Sequence, residues 1–107
     1  MVVLIYHHLK RFNEVLIMHD LLCKFESLVI LQTMMDLVDL NFIDTVKLNQ
    51  IADTANELDI DLNYIDYDKI MYESDYDLMV EVFEDWAEDI NTMYLDVKSE
   101  LLKLIKE

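Results

Sequence analysis

The sequence predicts an all-α fold: a small acidic helical bundle, one domain over residues 1–107, with a long C-terminal helix as its spine. Three observations carry this. The chain contains no glycine and no proline, the residues that sheet-rich folds need for tight turns. Apolar residues step at helical spacing through most of its length. The hydrophobic fraction of 54% supplies enough apolar surface to fold a chain whose net charge is −15.

Residues 1–41 are apolar and helical in pattern. Ile5, Leu9, Phe12 and Leu16 step at helical spacing, and Leu22, Phe25 and Val29 continue a stripe with Met18, Leu21 and Leu28 beside it. Residues 2–6 fit a short strand as well as a helical turn, because periodicity does not separate runs that brief. Asn13, Asp20 and Asn41 are the candidate break points. From 28 to 38 the apolar residues nearly surround the axis, the pattern of a helix buried in a core or in an oligomer interface. Asp44 is the expected N-cap of a second amphipathic helix, whose apolar face is Leu48, Ile51, Ala52, Ala55 and Leu58, with Asp53 and Glu57 pointing elsewhere. That helix should end near Leu58. Residues 59–68 then change period. Ile60, Leu62 and Tyr64 alternate with Asp59, Asp61 and Asn63, which predicts an extended connector with its apolar side on the bundle. Asp66 or Asp68 is expected to cap a short helical turn over 69–72.

The spine is residues 74–107. Ser74 and Asp77 make a capping-box-like start, and Lys98, Lys103 and Lys106 near the far end suit the helix dipole. With Asp77 set at zero and about 100° per residue, Met79, Val82, Phe83, Trp86, Ile90, Met93, Tyr94, Val97, Leu101 and Leu104 fall in one arc of roughly 140° to 260°. Asp77, Glu81, Glu84, Asp85 and Glu88 lie opposite, with Asp89 just beyond them. One face is core and the other is a ridge of carboxylates. Val80, Leu95 and Leu102 fall outside the core arc, and with residues 28–38 they predict a homodimer.

The charge is unevenly placed. Residues 1–30 are neutral, with Lys10, Arg11 and Lys24 against Glu14, Asp20 and Glu26. Residues 53–96 hold fifteen acids against Lys69 alone, a net of −14. Direct binding to nucleic acid is therefore not expected, since phosphates would be repelled. A basic protein surface is the expected partner. No uncharged run approaches the ~18 residues of a membrane span, and the N-terminus lacks a basic region ahead of its apolar residues, so neither a span nor a secretory signal is expected. The single Cys23 excludes an intramolecular disulfide and fits a cytoplasmic location.

Other site chemistries are weaker. Asp59, Asp61 and Asn63 match the first three ligands of a calcium loop, but Tyr64 stands where the turn needs glycine and Ile70 where the bidentate glutamate belongs. His19 and Cys23 stand at i and i+4, with His8 near the same face, yet no fourth zinc ligand follows at a telling spacing. They are expected to be buried or half-buried packing residues. Phosphate loops need glycine, and general acid–base pairs need a pocket, so no enzyme, metal or cofactor is expected. Trp86 belongs to the core stripe. Tyr64, Tyr67, Tyr72 and Tyr76 are interleaved with Asp66, Asp68, Glu73, Asp75 and Asp77, a composition suited to protein contact.

The ridge is more than a solvated face for two reasons. Glu81/Asp85 and Glu84/Glu88 are like-charged at i,i+4 and repel, at a few tenths of a kcal/mol each. A stiff helix of carboxylates also resembles duplex DNA, which carries one charge per about 1.7 Å of axis. The segment 81–95, with Glu84, Asp85, Trp86, Ala87, Glu88 and Asp89 followed by Tyr94 and Leu95, resembles the acidic Trp-containing C-terminal helix of the Ocr phage antirestriction proteins. Leu58, Asp59, Ile60, Asp61 and Leu62 resemble the short acidic segment before that helix. The likeness covers the last half of the chain, and Lys103 and Lys106 depart from that family's acidic last turn. The resemblance implies an all-helical DNA-mimic dimer that occupies the DNA groove of a restriction enzyme or another DNA-binding protein; anti-CRISPR proteins that mimic DNA are neighbours by function.

The expected function is inhibition of a basic nucleic-acid-binding host-defence protein. Asp77, Glu81, Glu84, Asp85, Glu88 and Asp89 would stand in for phosphates, helped by Asp59, Asp61, Asp66, Asp68, Glu73 and Asp75, with contact area from Tyr67, Tyr72 and Tyr76. The alternatives are an immunity protein or antitoxin that neutralises a basic toxin, and an oligomeric assembly subunit whose contacts would be residues 28–38 with Leu95 and Leu102.

Overall fold

A computed structural model describes residues 2–64, 67–68, 70 and 75–106, with residues 2–8 described by their backbone alone. Three helices make up the described fold: α1 (Val2–Asp36), α2 (Thr45–Glu57) and α3 (Tyr76–Lys106), with a 3₁₀ turn at Leu40–Phe42. The fold is all-α, as the composition predicts, and residues 2–6 are helical.

α1 runs unbroken through both Asn13 and Asp20, which corrects the expected breaks there. An Asn or Asp inside a helix costs only about 0.7 kcal/mol relative to Ala, and with no Gly or Pro nothing stronger interrupts the run. Within it, the hydroxyls of Ser27 and Thr33 donate to the carbonyls of Cys23 and Val29 one turn earlier, at 3.0 and 2.8 Å. The chain turns only after Asp36. Val38 N–H donates to Met35 O, and the Asp39 carboxylate accepts from Asn41 N–H at 3.0 Å to start the 3₁₀ turn.

α2 begins at the expected cap, with Asp44 Oδ1 accepting from Lys47 N–H at 2.9 Å. Leu48, Ile51, Ala52 and Ala55 are buried and Leu58 is half-buried. Its C-terminus closes as a Schellman motif. Ile60 N–H donates to Ala55 O and Asp59 N–H to Asn56 O, while Asp59 takes the left-handed conformation at φ 56°. That position usually falls to Gly; in a chain without Gly, Asp is one of the few residues that tolerates it. The alternation after it holds. Ile60 and Leu62 are buried, whereas Asp59, Asp61 and Asn63 are exposed. Tyr67, Asp68 and Ile70 are helical, so Asp68 lies within the turn rather than capping it. Asp66 and the remainder of the expected 69–72 turn, Ile70 aside, lie outside the described residues.

α3 starts one residue later than the capping box requires. Asp75 Oδ1 accepts from Asp77 N–H at 3.0 Å and Leu78 N–H at 3.5 Å, so Asp75 is the cap; Ser74 lies outside the described residues. A carboxylate there also complements the positive end of the helix dipole better than a neutral hydroxyl.

α1 and α3 pack antiparallel. Met35 shares a groove with Ala87 and Ile90, Phe25 meets Tyr94 with ring centroids 5.1 Å apart, and Met18 lines a groove with Leu104. The most deeply buried side chains are Trp86, Leu28, Leu31, Leu48, Ile51, Ile70 and Ile90. No described residue of α1 before Leu28 is fully buried. The molecule is a rod of 66 × 22 × 17 Å, with its core near one end. No helix among the described residues is long and apolar enough to cross a membrane.

Within the single chain the core takes only one side of residues 28–38, and the oligomer-interface alternative concerns the other side. Leu28, Leu31 and Met35 are buried, but Ile30 is 50% and Leu37 82% exposed. One side of the helix fills the core against α3, where Met35 meets Ala87 and Ile90, α2 packs beside Met34 and Val38, and the remaining side faces outward. His19 and Cys23 are also exposed rather than buried, with Cys23 Sγ 3.7 Å from His19 Nε2.

Candidate partner-binding face

The ridge on α3 is fixed by what lies behind it. Trp86 is fully buried, and its Nε1–H donates to the Asn63 carbonyl at 2.7 Å. Tyr64 and Tyr67 pack their rings on the indole at 5.7 and 5.4 Å. Val82, Phe83, Ile90, Val97 and Leu101 are buried on the same side. With this stripe anchored, the helix cannot rotate, and the opposite side must face water. Asp77, Glu81, Glu84, Asp85 and Glu88 are all exposed, and Asp89, at the edge of the core arc, is half-buried. From Asp77 to Asp89 the carboxylates extend over about 18 Å of helix axis at 1.5 Å per residue. No Lys or Arg occurs between Asp75 and Asp96.

The acids of the connector form a second group. Asp59, Asp61 and Asp68 are exposed. The connector lies on the Trp86 side of α3, about 180° round the helix from Asp77. The structure therefore gathers the α3 acids on one side of the rod and the connector acids on another. Asp75 is exposed and joins the start of the α3 group while capping the helix. Asp66, Tyr72 and Glu73 lie outside the described residues.

The described tyrosines differ in use. Tyr67 is half-buried against Trp86 and Tyr64, so most of its ring holds the connector in place. Tyr76 is 46% exposed, with its hydroxyl donating to the Leu40 carbonyl at 2.8 Å, and so ties α3 to the 3₁₀ turn. Burial first, then the carboxylates of Asp61 and Asp53, raise the Tyr64 hydroxyl above its ordinary 10.0. Burial, then Asp53 and Asp68, do the same for Tyr67. These shifts locate a residue missing from the sequence-based set: Asp53, exposed on α2, belongs with Asp61 and Asp68 around the two tyrosines. Its signal was present in the sequence, as the polar side of an amphipathic helix ending at the connector.

Asp59 and Asp61 line a surface groove of about 250 Å³ with Asn56 and Ile60. A groove of about 470 Å³ lies between α1 and the end of α3 and is lined by Lys10, Arg11, Glu14, Val15, Met18 and Leu104. None of the candidate acids borders it. Among the described residues no group of three His, Cys, Asp or Glu side chains is placed to hold a metal ion. What the acids can do is attract and orient a positively charged surface. Comparison with protein-family models, curated proteins and solved structures finds no match to this chain.

Proposed function

We propose that this protein is an acidic inhibitor that mimics DNA and blocks a basic nucleic-acid-binding host-defence protein of the restriction or CRISPR type. The observation that carries the reading is the exposed, cation-free carboxylate face of α3, held rigid by the buried Trp86 stripe behind it. Asp59, Asp61 and Asp68 place further negative charge on another side of the rod, as the two strands of a duplex carry phosphate on either side of the axis. Tyr76 adds aromatic contact area beside Asp75 and Asp77. The partner is a folded basic groove and not nucleic acid, and the inhibitor acts as a homodimer without catalysing a reaction. Its place of action is the host cytoplasm. Electrostatic attraction makes association fast and steeply salt-dependent.

The test starts with partners captured from host lysate and eluted along a salt gradient. Each captured nucleic-acid-binding enzyme is purified and challenged with labelled DNA and increasing inhibitor. Displacement of the DNA by the native chain, lost in the triple variant Glu84→Lys, Asp85→Lys, Glu88→Lys with its helicity intact, is the expected result. Normal binding by that variant would remove the ridge as the site. A partner that keeps its DNA while bound would point instead to an immunity protein or antitoxin gripping a basic toxin away from its groove. Salt-insensitive assembly alone would favour a structural subunit.

A further inference from the structure

From the outward side of α1 we infer that two copies of this chain join through that helix, packed antiparallel. This rests on the dimer reading above and specifies its surface. It does not depend on what the α3 acids bind.

The outward side has a seven-residue repeat. Leu9, Leu16, Cys23 and Ile30 recur at that interval along α1 and all four are exposed; Leu37, one interval further, lies just past the helix end and is exposed as well. Val15, Leu22 and Val29 recur on the neighbouring row, also exposed, and between the rows stand Phe12, at 61% exposure, and the exposed polar residues His19, Glu26 and Thr33. A seven-residue apolar repeat suits a helix that supercoils around another helix. α3 does not satisfy it, because α3 lies on the opposite side, against Phe25, Leu28 and Met35. The single chain thus carries two apolar faces on one helix and covers one of them. From their exposures, Leu9, Phe12, Leu16, Ile30 and Leu37 alone leave on the order of 600 Å² of apolar surface in water, and the flanking valines and Leu22 bring the face close to the ~800 Å² per partner of a stable interface.

Charge selects the occupant and its direction. Each copy carries −15, so two copies can meet closely only where the surface is neutral. Residues 1–30 are neutral, and the repeat runs along them, on the side of α1 away from α3 and its ridge. The rod is also polar along its length. Lys10, Arg11, Lys103 and Lys106 lie toward one end, with Glu14 and Glu100 among them, and the described acids from Asp53 to Asp89 crowd the other. A parallel pair would stack the two acidic ends side by side. An antiparallel pair separates them. In that arrangement Phe12 faces the region of Ile30 in the second copy.

The mass in solution is measured by light scattering and sedimentation at tens of micromolar for the native chain, for Phe12→Glu with Ile30→Glu, and for Leu95→Glu with Leu102→Glu on the other apolar patch. The expected result is twice the 12.8 kDa chain mass for the native chain and the Leu95/Leu102 variant, and the single-chain mass for the Phe12/Ile30 variant with unchanged helicity. Direction is read by disulfide trapping in a Cys23→Ser background. Phe12→Cys mixed with Ile30→Cys should cross-link, and neither should cross-link alone. A native monomer would overturn the dimer itself. A dimer that survives Phe12→Glu with Ile30→Glu would overturn this surface and leave dimerisation standing. Self-cross-linking of either single cysteine without the mixed product would overturn the antiparallel direction.

Discussion

The two long helices lie side by side and answer to different demands. α3 has one apolar face and one charged face, and the molecule satisfies both: the first is buried on Trp86 and its neighbours, the second is in water. α1 is apolar on two faces, and the molecule satisfies only one. α1 extends past the end of α3, and none of its described side chains before Leu28 is fully buried. An amphipathic helix is complete within a single chain, whereas a helix apolar on opposite sides implies something beyond it.

The difference can be broken most forcefully at Trp86. Trp86→Ala removes a fully buried indole together with its hydrogen bond to the Asn63 carbonyl, and should cost about 3–5 kcal/mol in denaturant unfolding. Phe12→Ala, an equally drastic truncation on the exposed face of α1, should change the stability of the isolated chain by no more than about 0.5 kcal/mol. Equal losses at the two positions, measured at concentrations where light scattering shows a monomer, would mean that both faces are packed within one chain. Next in size is the cap of α3. Asp75→Ala strips the acceptor from two helix N–H groups and should cost about 1 kcal/mol in the same measurement, with Asp75→Ser recovering most of it. Smaller still, and of opposite sign, is Glu84→Lys. It replaces repulsion toward Glu81 and Glu88 with attraction and should raise stability by about 0.5 kcal/mol at low salt, fading as salt is added. A destabilising outcome would mean that Glu84 is not free in water.

The last test concerns the tyrosines that brace the connector on α3. Tyr64 and Tyr67 hold their protons above the ordinary 10.0, chiefly because they are partly buried and secondarily because acids surround them. The folded chain keeps these protons where the unfolded chain releases them. Their contribution to stability is therefore whole below the unfolded value and is lost as pH rises through the folded values. Melting temperatures recorded from about pH 9 to 12 should fall along that range, and Tyr64→Phe with Tyr67→Phe should flatten the fall.

α3 was legible in the sequence almost residue by residue, because a helix with charge on one side and apolar groups on the other has a defined phase. α2 and its Asp44 cap were legible for the same reason, and so was the alternation of Ile60 and Leu62 with Asp59 and Asp61. α1 was not. When apolar residues surround the axis, periodicity gives no phase and does not say which side is inside. Asn13 and Asp20 looked like breaks only because no stronger punctuation was present. The cap of α3 was misplaced by one residue because Ser74 and Asp75 are adjacent and both are cap-forming types. The division of the acids between two sides of α3 was hidden as well. It depends on the connector folding back onto Trp86, a contact between Asn63 and a residue far along the chain that no local pattern encodes.

The elongation of the rod bears on how the molecule behaves on a column. Its radius of gyration is 18.5 Å, the value of a compact chain of about 270 residues. A single copy should therefore travel through a sizing matrix with much larger globular proteins and pass for an assembly. Elution volume reports its length, and only methods that weigh the particle independently of its shape count the copies.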